Sequence, residues 1–141
     1  MSKKKIMLVD DSSMMRLIIR NLLITDPNLT VESSVENGKK AIEKLQVEQP
    51  DLILLDLEMP EMDGLEFLRV ARTKTSAKIV VLSSVVPAGS PKAMQALSLG
   101  AEAIISKPSG AVSFDLKDTR GTELFQVIYH QLGLGTHKIP A

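Results

Sequence analysis

The segment DLILLDLEMPEMDG, residues 51–64, runs four apolar residues, Leu52 to Leu55, into the carboxylate of Asp56 and then turns through Pro60 and Gly64. A short apolar run bounded by turn signals predicts a strand covered on both faces, as in the middle of a parallel sheet. A carboxylate at the end of such a strand requires a cation or hydrogen-bond donors beside it. Fold and chemistry are therefore posed together by one short stretch.

Working outward, the same alternation recurs. KIMLVD (5–10) is a first buried strand, ended by Asp10, Asp11 and Ser12. Met15, Ile18, Ile19, Leu22 and Leu23 then repeat at the spacing of one helix face, with Ser12 or Ser13 as the cap. TVESSV (30–35) alternates weakly, as an exposed edge strand does, and Gly38 to Gln46 predicts a short helix through Ala41, Ile42 and Leu45. After the 51–56 strand come a helix over 65–72, the strand KIVVLSS (78–84), a helix entered at Ser90–Pro91 and closed by Gly100, and the strand EAIIS (102–106). Leu124, Val127, Ile128 and Leu132 line a last helix over 120–132. Strands separated by single helices are joined by right-handed crossovers and are parallel. The fold expected is an α/β doubly wound open sheet, helices on both faces, with its ligand crevice at the carboxyl ends of the strands.

The whole-chain properties bound the function. At 141 residues the chain has the size of one domain, assigned here to 1–132, with Gly133, Gly135 and Pro140 marking 133–141 as a linker-like tail. Seventeen basic and seventeen acidic residues give zero formal charge, so no overall field favours nucleic acid. The absence of cysteine excludes disulfides, thiolate metal sites and a thiol nucleophile. No apolar run approaches the roughly eighteen residues of a membrane span, and the run after Lys3 to Lys5 is too short for a signal sequence, so a cytoplasmic location without membrane contact is expected.

One sheet edge collects the polar residues: Asp10 and Asp11 after the first strand, Asp56 after the third, Ser83 and Ser84 after the fourth and Lys107 after the fifth. Grouped carboxylates repel unless a cation intervenes, and magnesium suits them better than calcium, because it takes one or two carboxylates with waters and phosphate oxygens. Lys107 supplies a point charge for a phosphoryl oxygen and Ser83 a hydroxyl donor. A carboxylate nucleophile, a metal, a cation and a hydroxyl are the parts of phosphoryl transfer. Asp56 is the expected acceptor, and the turn after it lets the carbonyl of Glu58 face the metal with Asp10, Asp11 and Asp56. Taken singly, Asp10 or Asp11 could as well be a helix cap.

These residues resemble the receiver domain of two-component response regulators: paired acids after IMLV, Asp56 in LLDLEMPEMDG, Ser83 in VVLSS and Lys107 in ISKPS. The resemblance implies a five-stranded flavodoxin-like (βα)5 sheet in the order 2-1-3-4-5. It also implies magnesium-dependent transfer from a histidine kinase's phosphohistidine and a cis peptide before Pro108. A partner, an attached output domain or a second copy would read the change at the face of helix four, strand five and helix five. The stretch LSSVVPAGSPKAMQALSLGAEAIISKPSG is similar to the receiver half of chemotaxis protein-glutamate methylesterases, with AVSFDLKD (111–118) as an insertion before the last helix. The chain ends at Ala141, without length for an esterase domain, so on this reading its own chemistry is gain and loss of its phosphoryl group. Ile104 stands where receivers often carry an aromatic switch residue.

Two other readings compete. A haloacid dehalogenase-type phosphatase also uses a strand-end aspartate in D-x-D, which Asp56 to Glu58 superficially matches, but it keeps that residue near its first strand. A flavodoxin-like binding module without phosphorylation would leave the acidic set unused. Met15 and Met94 fall on helix faces expected to enter the core, Met14, Met59 and Met62 flank the acids, and His130 and His137 are too isolated to form a metal pair.

Overall fold

Strand residues of opposite parity feed two separate apolar layers, and this division organises the molecule. The computed structural model describes residues 3–57, 64–83, 90–106 and 121–134. Along them run β1 (Lys4–Val9), α1 (Ser13–Leu23), β2 (Leu29–Val35), α2 (Gly38–Leu45), β3 (Leu52–Asp56), α3 (Gly64–Ala71), β4 (Lys78–Ser83), α4 (Pro91–Ser98), β5 (Ala103–Ser106) and α5 (Gly121–Leu132). The sheet has the order β2-β1-β3-β4-β5, every neighbouring pair parallel. The doubly wound architecture and the strand order agree with expectation.

Ile6, Leu8, Leu52, Leu54 and Leu82 pack with Ile19 and Leu23 of α1 and with Leu124 and Ile128 of α5. Met7, Val9, Ile53, Leu55 and Val81 pack on the opposite face with Leu45 of α2, Phe67 and Leu68 of α3 and Ala96 of α4. Central strands bounded by helices on both sides bury every position, and all five residues of β3 are buried. The weak alternation of β2 has a specific cause. Its register against β1 shifts between Ile6 and Met7, where Val31 and Ser33 are the successive partners and Glu32 is the extra residue. A bulge reverses the facing of everything beyond it. Leu29 and Val31 accordingly join the α1/α5 layer, whereas Val35 joins the other.

Helix entries follow local chemistry. The Ser12 hydroxyl accepts from the Met15 amide, Asn37 from Lys40 and Ser90 from Ala93, each satisfying an amide the first turn leaves open. Gly100 ends α4 at φ +116°. Two expectations need amendment. Met94 is 55% exposed, so it is not a core residue: the short α4 buries Ala93 and Ala96 and turns Met94 and Leu97 outward. The last helix buries Phe125 and Tyr129 along with Leu124 and Ile128, whereas Val127 and Leu132, expected on the same face, are only partly buried against the layer shared with α1. Met15 does pack against the core, and His130 is exposed. Among the described residues no helix is long and apolar enough to cross a membrane. The Lys107–Pro108 bond, the 111–118 insertion and His137 lie outside the described residues.

Leu57, just after β3, and Gly64, at the start of α3, meet closely. The Gly64 amide donates to the Leu57 carbonyl at 3.1 Å, and a Cβ at Gly64 would stand 2.8 Å from Leu57 Cα. Backbone cannot yield as a flexible side chain can, so only glycine fits there. Gly64→Ala is expected to lower the unfolding free energy by about 1–3 kcal/mol, the usual cost of overpacking. Because Leu57 follows Asp56, divalent-cation binding should weaken in the same variant. A urea transition unchanged from wild type would contradict the contact.

Candidate functional site

The acidic site is a consequence of register. In the β1/β3 ladder Val9 stands opposite Leu55, so the next residues, Asp10 and Asp56, end adjacent strands side by side. Both share parity with Leu8 and Leu54, so both side chains project toward the α1/α5 side of the edge. The Asp10 amide still donates to Val35 at 3.1 Å and the Leu57 amide to Leu82 at 3.0 Å, which carries strand pairing past both acids and limits their movement. Asp11 is the next residue before α1 begins.

Asp10, Asp11 and Asp56 each bring a carboxylate oxygen within 4.8 Å of the others. Asp10 and Asp56 are 3% and 2% exposed, whereas Asp11 opens to solvent. Two buried carboxylates at such a separation repel by on the order of 3 kcal/mol at an effective dielectric near 20. Oxygen donors that are all anionic, partly buried and partly open suit a hard divalent cation that keeps water ligands. The donor set therefore fits magnesium.

Neighbouring groups hold the acids in place. Asp10 Oδ1 accepts from the Ser12 amide at 2.9 Å, and Arg16 Nη1 donates to the Asp10 carbonyl at 2.6 Å. Ser12 and not Asp10 caps α1, so the capping alternative for Asp10 does not hold. Arg16 was not among the residues singled out from sequence. Its spacing, one helical turn beyond Ser12, was visible there, but only the packed helix shows that its guanidinium returns to the strand end. Ser83 ends β4, its backbone paired with Ser106 one step beyond the Asp56–Leu82 pair. Glu58 and Lys107 lie outside the described residues. Ile104 is partly buried against the layer formed by α2, α3 and α4.

Comparison with known proteins agrees with this geometry. The family model of the response regulator receiver domain matches residues 6–128. A protein-glutamate methylesterase/protein-glutamine glutaminase of Halalkalibacterium halodurans is 40% identical over 119 residues, covering 84% of this chain and 34% of that protein. The Treponema denticola protein of the same description is 38% identical over 137 residues, covering 94% of this chain and 37% of that one. The chain thus spans about a third of the length of these relatives. Among solved structures, the response regulator domain of Thermotoga maritima CheB superposes with a TM-score of 0.84 at 29% identity, covering 93% of this chain and 97% of that one. CheY6 of R. sphaeroides, solved in complex with the P1 domain of CheA3, superposes with a TM-score of 0.76 at 44% identity, covering 94% and 99%. The family match sets aside the dehalogenase-type alternative. With strand order, acidic edge and sequence relationship in agreement, the chain belongs to the response regulator receiver domain family.

Proposed function

We propose that this chain is a phosphoacceptor switch in chemotaxis signalling, taking a phosphoryl group onto Asp56 from the phosphohistidine of a cytoplasmic histidine kinase. The observation that carries this reading is the convergence of Asp10, Asp11 and Asp56 within 4.8 Å at the carboxyl ends of β1 and β3. An Asp56 oxygen attacks phosphorus as the phosphorus–nitrogen bond breaks, and imidazole leaves. Asp10, Asp11, Asp56 and the Glu58 carbonyl are the groups that would hold magnesium, which when bound offsets charge on the phosphoryl oxygens. Lys107 and the Ser83 hydroxyl are assigned to those oxygens in the product. Arg16 is assigned a positioning role, since its bond to the Asp10 carbonyl fixes the strand end from which Asp10 and Asp11 project.

Two surfaces support the partner assignment. The first turns of α1 adjoin the acids and expose Met14 at 68% and Leu17 at 55%, an apolar patch suited to a helix of the phosphodonor. The P1–CheY6 complex of a relative 44% identical supports a donor of that kind. On the far side, α4 exposes Met94 at 55% and Leu97 at 40% beside β5, supporting the α4–β5–α5 face as the output surface. The methylesterase relatives support an attached esterase as the controlled partner, with the receiver as its regulatory part. The partly buried aliphatic Ile104 leaves Ser83 as the moving element of this switch.

Intact-mass measurement after treatment with a small phosphodonor should show a single phosphoryl adduct that requires both magnesium and Asp56. An adduct on Asp56→Asn, or none on the wild type with magnesium bound, would refute the assignment. Replacing Asp10 with Asn should weaken magnesium binding in a calorimetric titration by about tenfold or more. The double change Met14→Ala, Leu17→Ala should slow phosphotransfer from a kinase P1-type domain by about tenfold while leaving the small-phosphodonor rate within about twofold. Equal loss with both donors would remove α1 from the docking surface.

A further inference from the structure

At the end of the molecule remote from the acids, α5 is tied to the α1–β2 turn by a buried polar network. The Tyr129 hydroxyl donates to Asp26 Oδ2 at 2.6 Å, and Asn28 Nδ2 donates to the Tyr129 oxygen at 3.0 Å. Asp26 Oδ1 accepts from the Asn28 amide at 2.8 Å, so the carboxylate is oriented by its own turn before it meets the phenol. Asp26 and Tyr129 are 5% and 6% exposed, and they are separated by 103 residues in the chain. A buried carboxylate bound to a phenol is costly to separate, because water does not replace the lost partner. Burial also pushes the Tyr129 phenol above its ordinary range.

Tyr129 is also the residue on which the helix end closes. The Leu134 amide donates to the Tyr129 carbonyl at 2.9 Å and the Gly133 amide to His130 at 3.3 Å, with Gly133 at φ +69°. This is a Schellman stop, and Leu134 packs back onto the α1/α5 layer. Tyr129 therefore links the two: its side chain anchors the last turn to the α1–β2 turn, and its carbonyl receives the reversal at Leu134. The anchor lies beyond the far end of α1, whose residues Ser13–Leu23 rise roughly 16 Å from the acidic edge.

We propose that the Tyr129–Asp26–Asn28 network is a clamp that fixes the point where the chain leaves α5, so that phosphorylation acts on a partner through the domain surface and not by moving the segment that follows. This rests on the phosphoacceptor reading given above. It divides the molecule by function: the carboxyl edge of the sheet changes with phosphorylation, whereas the opposite end holds still. An attached domain would meet a changed surface from an unchanged tether.

The test is amide hydrogen exchange on the full chain with magnesium, with and without beryllofluoride, a phosphoryl stand-in whose binding is read by fluorine resonance. Amides of 127–134 in the wild type should exchange at rates equal within twofold in the two states. In Tyr129→Phe they should exchange at least tenfold faster while β3 and β4 remain protected, and they should become sensitive to beryllofluoride. Asn28→Ala, which keeps the Tyr129–Asp26 bond, should give a smaller increase. Faster exchange over 127–134 on beryllofluoride binding to the wild type would overturn the proposal. So would a Tyr129→Phe protein indistinguishable from wild type. Failure of beryllofluoride to bind would instead count against the phosphoacceptor reading, while the comparison of Tyr129→Phe with wild type in plain buffer still decides whether the clamp exists.

Discussion

The parallel pairing of β1 with β3, up to Val9 opposite Leu55, is the constraint on which the rest of this structure depends. Val9 opposite Leu55 obliges Asp10 and Asp56 to emerge side by side from a sheet buried on both faces. Slipping that pairing by one residue would send one carboxylate to the opposite face and dissolve the cluster. The apolar residues beneath the acids, Leu8 and Leu54, resist the slip because reversing them would expose core. Hydrophobic register and a site of like charges are thus two aspects of one alignment.

That alignment brings like charges together, since oxygens of Asp10, Asp11 and Asp56 lie within 4.8 Å of one another and carboxylates so placed repel. The supports are local and numerous: the Ser12 amide on Asp10, the Arg16 guanidinium on the Asp10 carbonyl, and the closure of Gly64 on Leu57 just beyond Asp56. The first orients the Asp10 carboxylate through Oδ1, and the other two fix backbone beside an acid. A site built this way responds to charge, whether a divalent ion or a phosphoryl group, more readily than to shape.

The surfaces divide along the same axis. Met14 and Leu17 are exposed on α1 next to the acids and Met94 and Leu97 on α4 beside β5, while the opposite end, where Ile24 is also exposed, is tied together by polar bonds between α5 and the α1–β2 turn. The outward turn of Met94 illustrates how such a surface arises. Helix α4 is short and its buried positions are alanines, so the helix lies close to the sheet and a bulky neighbour is left outside. A periodic pattern marks which residues share a helix face, but the depth to which that face sinks depends on what lies beneath.

Much of the fold was legible in the sequence because each element states its own type locally. The unbroken apolar run of 52–55, the caps at Ser12 and Ser90, Pro91, and Gly100 are short-range signals that need no tertiary partner. Asp10, Asp11 and Asp56 were recognisable as candidates because they follow such strands, and the geometry now brings those three together. What remained hidden depends on contacts distant in the chain. The bulge at Glu32, the return of Arg16 to the strand end, the approach of Gly64 to Leu57 and the bond between Tyr129 and Asp26 have no local signature. The sequence by itself determined which segments are strands and helices and which side chains carry chemistry, since backbone preference and side-chain type are properties of a few neighbouring residues. Only the tertiary structure decided how closely those acids approach, which side chains support them and which helix end is held, because those follow from register and packing between segments up to 103 residues apart.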